Sequence, residues 1–391
     1  MRRLSCVVAA GAAFVLTPGV AWAQSVSDIL SFLLVNRAVQ TDDFERDIAA
    51  ANATRDTVTE LLASELATLP PSLSSAGFSY RFNSMLGTAE RASTSFGSFF
   101  TERSLTAGKG QAALGVNLRL ASYRRLDGSD LADGRFVTTA NQFRDEATPF
   151  DVETLALEID SRVVTFTGSL GVTDRLDLSA AIPLVELSVS GSRVNTYRGQ
   201  ETVQAVADAT SRGFGDVAVR AKYGLLSGIS SGLALAGELR LPTGREQDLL
   251  GSGRAAFSAV LIGSSERGPL GYHGNVSISG GGLANELAYR GAVCFSASDR
   301  VTLVGELVGR RYGEAGRISA VRVPHATIDN VDTIRLLSED SSLSTAAVVV
   351  GGKWNVTSTW ILSAHTQLPV TDRGLRSGVV TLVGLDYAFE F

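Results

Sequence analysis

Ten ionisable side chains fall on one face of segments whose other face is aliphatic: Asp216, Arg220, Lys222, Glu238, Arg240, Glu286, Arg290, Glu306, Arg310 and Asp386. Both signs occur on neighbouring segments, so the chemistry they offer is mutual ion pairing along a wet inner wall, with contact to a passing solute as the second reading. His365 and Gln367 share such a polar face. Either His365 beside Ser363 or His273 beside Ser277 would make a hydrolytic centre if a carboxylate oriented the imidazole. No spacing enforces that geometry, and a polar wall position is the competing reading for each; His325 falls in a long connection. Asp127, Asp130 and Asp133 before Gly134, and Asp329, Asp332, Glu339 and Asp340, form acidic stretches without the spacing of a calcium loop. They read as solvated loops, so no metal is expected. Gly251-Ser252-Gly253 lacks the lysine and helix of a phosphate loop and reads as a turn. No cofactor is implied.

The elements that must carry these residues are strands. From about Gln111 onward the polarity alternates with period two. Val217, Val219, Ala221, Tyr223 and Leu225 oppose Asp216, Arg220 and Lys222; Leu233, Leu235, Leu239 and Leu241 oppose Glu238 and Arg240. A soluble sandwich would show the same alternation. Aromatic placement separates the two. Tyr223, Tyr272, Phe295, Trp354, Trp360, Tyr387, Phe389 and Phe391 lie on the aliphatic face beside short turns or at the C-terminus. Rings gathered at one end of the strands make the interfacial girdle of a membrane barrel, which directs the aliphatic face to lipid.

Short connections at 173–175, 227–231, 264–268, 297–300 and 355–358 alternate with long polar ones at 124–150, 195–212, 244–253, 281–285, 313–342 and 370–376. Short turns belong on the periplasmic side of such a barrel and long loops outside. The spacing predicts an all-β fold, a transmembrane antiparallel barrel of about 12 strands, or about 14 if residues 75–107 add a hairpin. Around Pro183 the apolar parity moves from Leu178, Ala180 and Ile182 to Val185, Leu187 and Val189, which predicts a bulge. A similar change falls near Arg162.

The two ends of the chain agree with export to such a membrane. Arg2 and Arg3, an apolar stretch from Val7 to Leu16 and Ala21-Trp22-Ala23 predict a signal peptide over 1–23 and a mature start at Gln24. Cys294 is then the one remaining cysteine, so no internal disulfide is expected. Loss of Arg2 and Arg3 moves the formal charge from −5 to −7, which argues against a nucleic-acid partner. Forty glycines with 7% aromatic residues fit many strands and turns. Residues 28–66 differ: Phe44, Ile48, Ala51, Val58, Leu62 and Leu66 follow a helical stripe with a capping-box start at Asp42-Asp43-Phe44-Glu45, and Pro70-Pro71 stops it. The segment 24–107 is expected to be a helical periplasmic cap or a plug, and 108–391 the barrel. Within it, Thr94 to Phe100 carries aromatics with no clean period.

The stretch Gly213-Phe214-Gly215-Asp216, followed by Leu239-Arg240-Leu241-Pro242-Thr243-Gly244, then Gly251-Ser252-Gly253, Gly352-Lys353-Trp354 and Gly384-Leu385-Asp386-Tyr387-Ala388-Phe389, resembles a family of bacterial proteins named as transporters of the meta-pathway of phenol degradation. The resemblance spans roughly 108–391. It implies an outer-membrane barrel that admits small hydrophobic or aromatic compounds and is not an enzyme, with membrane lipid, the solute and the barrel-assembly machinery as partners. A structural barrel without transport and a lipid-acting barrel enzyme are the alternatives.

Overall fold

The computed structural model describes residues 25–34, 49, 52–53, 55–62, 80–83, 88–91, 95–228 and 230–390. The predicted leader, the mature start at Gln24, the helix start at Asp42 to Glu45, the stop at Pro70-Pro71 and Phe391 lie outside the described residues. Helix α1 (Val26–Leu34) is followed by a helical stretch at 55–62 and a short hairpin, β1 (Tyr80–Asn83) with β2 (Thr88–Arg91). Ser25 caps α1, accepting from the Asp28 amide at 3.1 Å while Asp28 accepts from the Ser25 amide and hydroxyl.

The remaining strands are β3 (Gln111–Leu126), β4 (Ser129–Asp130), β5 (Phe136–Phe143), β6 (Asp151–Gly171), β7 (Leu176–Tyr197), β8 (Gln200–Phe214), β9 (Val217–Ser227), β10 (Ser231–Leu241), β11 (Ala256–Arg267), β12 (Leu270–Gly281), β13 (Glu286–Ser298), β14 (Val301–Pro324), β15 (Val331–Thr357), β16 (Trp360–Pro369), β17 (Leu375–Ser377) and β18 (Val380–Glu390). β8 and β9 are two halves of one wall strand, because both pair with β7, above and below Pro183. Counted so, antiparallel pairing runs from β3 through β6, β7, β9, β10 and onward to β18, and β18 returns to β3, closing a 12-strand barrel. Closure leaves no edge at membrane depth.

Strand lengths are uneven. β10 to β13 have 11 to 13 residues, close to the ~9–11 that a tilted strand needs to cross the hydrocarbon. β6, β7, β14 and β15 have 21 to 27, so their upper halves rise past the membrane. There β5 bridges β6 and β15, so that β8, β7, β6, β5, β15 and β14 form an upper wall. Two of the predicted long loops, 195–212 and 313–342, are thus mostly continued hairpin. The turn predicted at 264–268 falls at 268–269, between β11 and β12.

The predicted bulges at Pro183 and Arg162 are not present. The β6–β7 register runs unbroken from Asp151↔Tyr197 through Arg162↔Glu186 and Thr165↔Pro183 to Gly171↔Asp177. The side-chain parity holds, and the chemistry of the two faces exchanges instead. Below this level the outer face carries Phe166, Leu170, Leu178 and Ile182, all exposed. Above it the outer face carries exposed Glu158, Asp160 and Arg162, with Asp208, Thr210 and Arg212 on β8, while Leu155, Leu157, Ile159, Leu187 and Val189 turn inward and are buried. Glu186 marks the outer boundary, pairing with Arg162 at 3.7 Å and Arg212 at 2.8 Å. The irregularity expected of Pro183 sits in its neighbour, at the β8–β9 break, where the Gly215 amide donates to the Pro183 carbonyl at 2.8 Å.

A bilayer accounts for that exchange: apolar wall outside where lipid is, polar wall outside where water is. Leu307→Arg, on the exposed lower face of β14, should therefore cost about 2–4 kcal/mol. Asp208→Arg on the upper wall should cost under about 0.5 kcal/mol. Urea unfolding in lipid vesicles measures both, and equal costs would contradict this placement of the membrane.

Candidate functional site: the two-tiered lumen

The upper lumen is apolar and filled. Val26, Ile29, Leu30, Leu33 and Leu34 of α1 and Val58, Leu61 and Leu62 of the second helical stretch join one buried cluster with Tyr123, Leu155, Leu157, Ile159, Leu187, Tyr312 and Leu343 of the wall. Burying leucine-sized side chains contributes roughly 1.5–3 kcal/mol each, so this contact is substantial. Arg193 fixes its end: buried against Glu153 at 2.7 Å, it donates to the carbonyls of Phe32 and Leu33 at 3.3 and 3.2 Å, satisfying two of the four free C-terminal carbonyls of α1.

Residues 95–108 fill the lower lumen, held by the predicted charges. Glu306 on β14 accepts from three consecutive amides, Phe99, Phe100 and Thr101, and from the Thr101 hydroxyl at 3.0 Å. Successive amides converging on one carboxylate form an anion-binding nest. Lys353 donates to the carbonyls of Ser98 at 2.7 Å and Phe96 at 3.3 Å, and Arg290 to that of Phe100 at 3.3 Å. Glu102 enters an ion-pair chain, reaching Arg220 at 2.5 Å, which meets Glu238 at 3.2 Å, which meets Arg240 at 3.0 Å. Lys222 pairs with Asp177 at 3.3 Å and donates to the Leu105 carbonyl at 2.8 Å, while Asp177 accepts from the Ala107 amide at 3.0 Å. Thr106 donates to the Asp174 carbonyl in a short turn, which places this exit of the segment at the short-turn end.

Arg310 donates to the Tyr312 hydroxyl at 2.9 Å; Glu286, Gln367 and Asp386 are half-buried on the inner face. Asp216 departs from the expected lumen role. Its carboxylate accepts from the Gly244 amide at 3.0 Å and from the Ser252 amide and hydroxyl at 2.8 and 2.7 Å, while Thr243 accepts from the Val217 amide and donates to the Gly215 carbonyl. The glycine motif is therefore a clasp that pins the connection after β10 onto the β8–β9 break. Gly215 lies where a Cβ would meet Pro183 at 3.0 Å and the Leu250 carbonyl at 3.1 Å, which is why the motif needs glycine there.

His365 stacks on Phe99 with centroids 3.9 Å apart, and neither ring nitrogen has a hydrogen-bond partner among the described residues; His273 meets Ser264 at 3.0 Å rather than Ser277. The serine pairings considered for hydrolysis, Ser363 and Ser277, do not form. Asp127 braces loops, accepting from the amides of Gly374 and Ile318. Tyr223, Tyr272, Phe295, Trp354 and Trp360 are exposed on the outer wall near the short turns; Trp360 packs tilted on Tyr387 with centroids 4.7 Å apart, and Tyr387 stacks on Phe389 at 5.6 Å. Sequence reasoning missed Lys353, Asp177, Glu102 and Asp177's partner segment. Lys353 was readable as an inward position between Gly352 and Trp354; Glu102 lay in a stretch with no period.

Residues 136–275, less than half of the chain, match the family model described as "Putative MetA-pathway of phenol degradation", and this stretch contains the clasp motif. No curated relative matches the sequence. Among solved structures, an outer membrane channel from Pseudomonas putida F1 is similar at 15% identity over 73% of this chain and 97% of that one, with a TM-score of 0.49. A FadL homologue from Pseudomonas aeruginosa is similar at 11% identity over 72% of this chain and 90% of that one, TM-score 0.30. The outer membrane protease OmpT from Escherichia coli matches at 11% identity over 71% and 97%, TM-score 0.28. The closed barrel with its apolar lower exterior is of the bacterial outer-membrane type.

Proposed function

We propose that this chain is an outer-membrane channel of the phenol-degradation family for small hydrophobic or aromatic solutes, held shut by its own N-terminal segment. The observation that carries the reading is the division of the lumen: an apolar upper tier suited to an apolar solute, above a charged tier sealed by residues 95–108 through reversible polar contacts. Displacement of the N-terminal segment would open the path, the upper tier collecting solute and the charged tier passing it on. The exposed aromatics serve as the interfacial girdle, and β18 offers the terminal strand read by the barrel-assembly machinery. A lumen this full of the protein's own residues also suits a structural barrel, and one assay separates the two.

That assay is flux of benzyl alcohol into vesicles carrying the purified protein. Saturable entry through a chain shortened to begin at Leu105, several-fold above that through the intact protein, is the expected result. Equal entry would leave the structural barrel.

A further inference from the structure

Arg119 is an inward charge that belongs to neither tier, and it stands at their boundary. It lies on β3, 5% exposed, opposite Val163 of β6 on one side and Leu382 of β18 on the other. Among the described residues it makes no ion pair. Its Nη1 donates to the Tyr123 hydroxyl at 3.3 Å, four residues nearer the extracellular end, while Nε and Nη2 are buried without a partner among the described residues. Nε with Nη2 is the side-on edge of a guanidinium, whose two parallel N–H groups match the two oxygens of a carboxylate. A buried charge left in this state costs several kcal/mol unless something pairs with it.

Among the described residues, other buried polar atoms without a partner lie within two strands and two residues of it. His365, 8% exposed with both ring nitrogens unpaired, sits opposite Leu382, so it stands one strand beyond Arg119's neighbour in the same inward row. Gln367, two residues up β16, has a buried Oε1 without a donor, and Ser161, opposite Ala121 on β6, has an unpartnered hydroxyl. Native proteins rarely leave several buried polar groups unsatisfied in one place, and such a concentration points to a ligand or water that completes them. Directly above, the wall is Ala121, Tyr123, Leu157 and Ile159, all buried and apolar except for the one phenol oxygen.

We infer that Arg119, with His365, Gln367 and Ser161 around it, is a binding site for the carboxylate of an amphipathic organic acid whose apolar body takes the place of α1 against the upper-tier wall when the N-terminal segment is displaced. The inference rests on the channel reading above and narrows it: the preferred solute carries one carboxylate on a hydrophobic or aromatic body. A guanidinium edge gives the head its orientation, and the aliphatic wall gives the body its affinity.

Isothermal titration of the full-length protein in a non-ionic detergent tests this with benzoate, benzyl alcohol and inorganic phosphate as probes. Benzoate should bind at least about tenfold more tightly than benzyl alcohol, the difference expected of one charge-assisted pair. Arg119→Gln should bring benzoate down to the level of the alcohol and leave the alcohol unchanged, and Arg119→Lys should keep part of the preference. Equal binding of benzoate and benzyl alcohol by the unaltered protein would overturn the site without any variant having to fold. So would undiminished benzoate affinity in Arg119→Gln, or displacement of benzoate by an equal concentration of phosphate, which would mark a general anion site. Loss of the benzoate preference with benzyl alcohol flux intact removes this site alone. Benzoate binding without flux of either compound keeps the site and overturns the channel.

Discussion

Replacing Arg220 with leucine should destabilise the folded barrel by about 3–5 kcal/mol, the cost of removing one member of a buried ion-pair network. Arg220 is 8% exposed, and it holds Glu102 of the N-terminal segment at 2.5 Å and Glu238 of β10 at 3.2 Å. Glu238 keeps Arg240 at 3.0 Å after the change, so the loss falls mainly on Glu102, whose side chain is 2% exposed. Desolvated and without that guanidinium, the carboxylate must draw in water or leave the wall. Arg220→Lys keeps the charge but not the two-directional fork, and should cost less than half as much. The urea midpoint in lipid vesicles reads both variants. A cost below about 1 kcal/mol for leucine would mean that water already reaches Glu102 and that the lower tier is not sealed.

Glu306→Ala should open the barrel. Its carboxylate is the acceptor for the amides of Phe99, Phe100 and Thr101, and alanine leaves all three without their partner in a place where Glu306 itself is only 4% exposed. Each unsatisfied buried group costs about 1–3 kcal/mol. Even a total of about 3 kcal/mol moves the balance between seated and released segment by roughly a hundredfold. The gain should appear as longer open times in planar bilayers. Glu306→Gln keeps an acceptor oxygen but loses the charge that the nest favours, and should fall between the two. A variant as silent as the unaltered protein would show that this contact does not hold the segment in place.

Much of the wall was readable because lipid on one side and charge on the other impose a strict alternation. Val219, Arg220, Ala221 and Lys222 take the faces their parity assigns. The rule that made the lower barrel legible misled above the membrane. Once water replaces lipid outside, the same parity carries the opposite chemistry, so the change from Ile182 to Val185 imitates a bulge where the β6–β7 register runs unbroken. The upper hairpins of β7–β8 and β14–β15 read as loops in the sequence for the same reason, since polar outer faces look like connections. Parity singles out Arg220, Lys222 and Glu306 but not the segment that contacts them. Residues 95–108 have no period because they are fixed by backbone amides and carbonyls, which any sequence supplies, against wall charges more than 60 residues away in the chain. Asp216 was misplaced because its alternation is regular, while its role depends on Gly244 and Ser252 across a loop.

The most direct test of a self-closed channel is single-channel recording of the full-length protein beside a refolded chain that begins at Leu105, which keeps the Lys222 contact and every barrel strand. The intact protein should be closed or only weakly conducting, and the shortened one should show a steady, larger conductance. Two folded, inserted and equally silent proteins would contradict the account, because the barrel would then be shut by its wall rather than by its N-terminal segment.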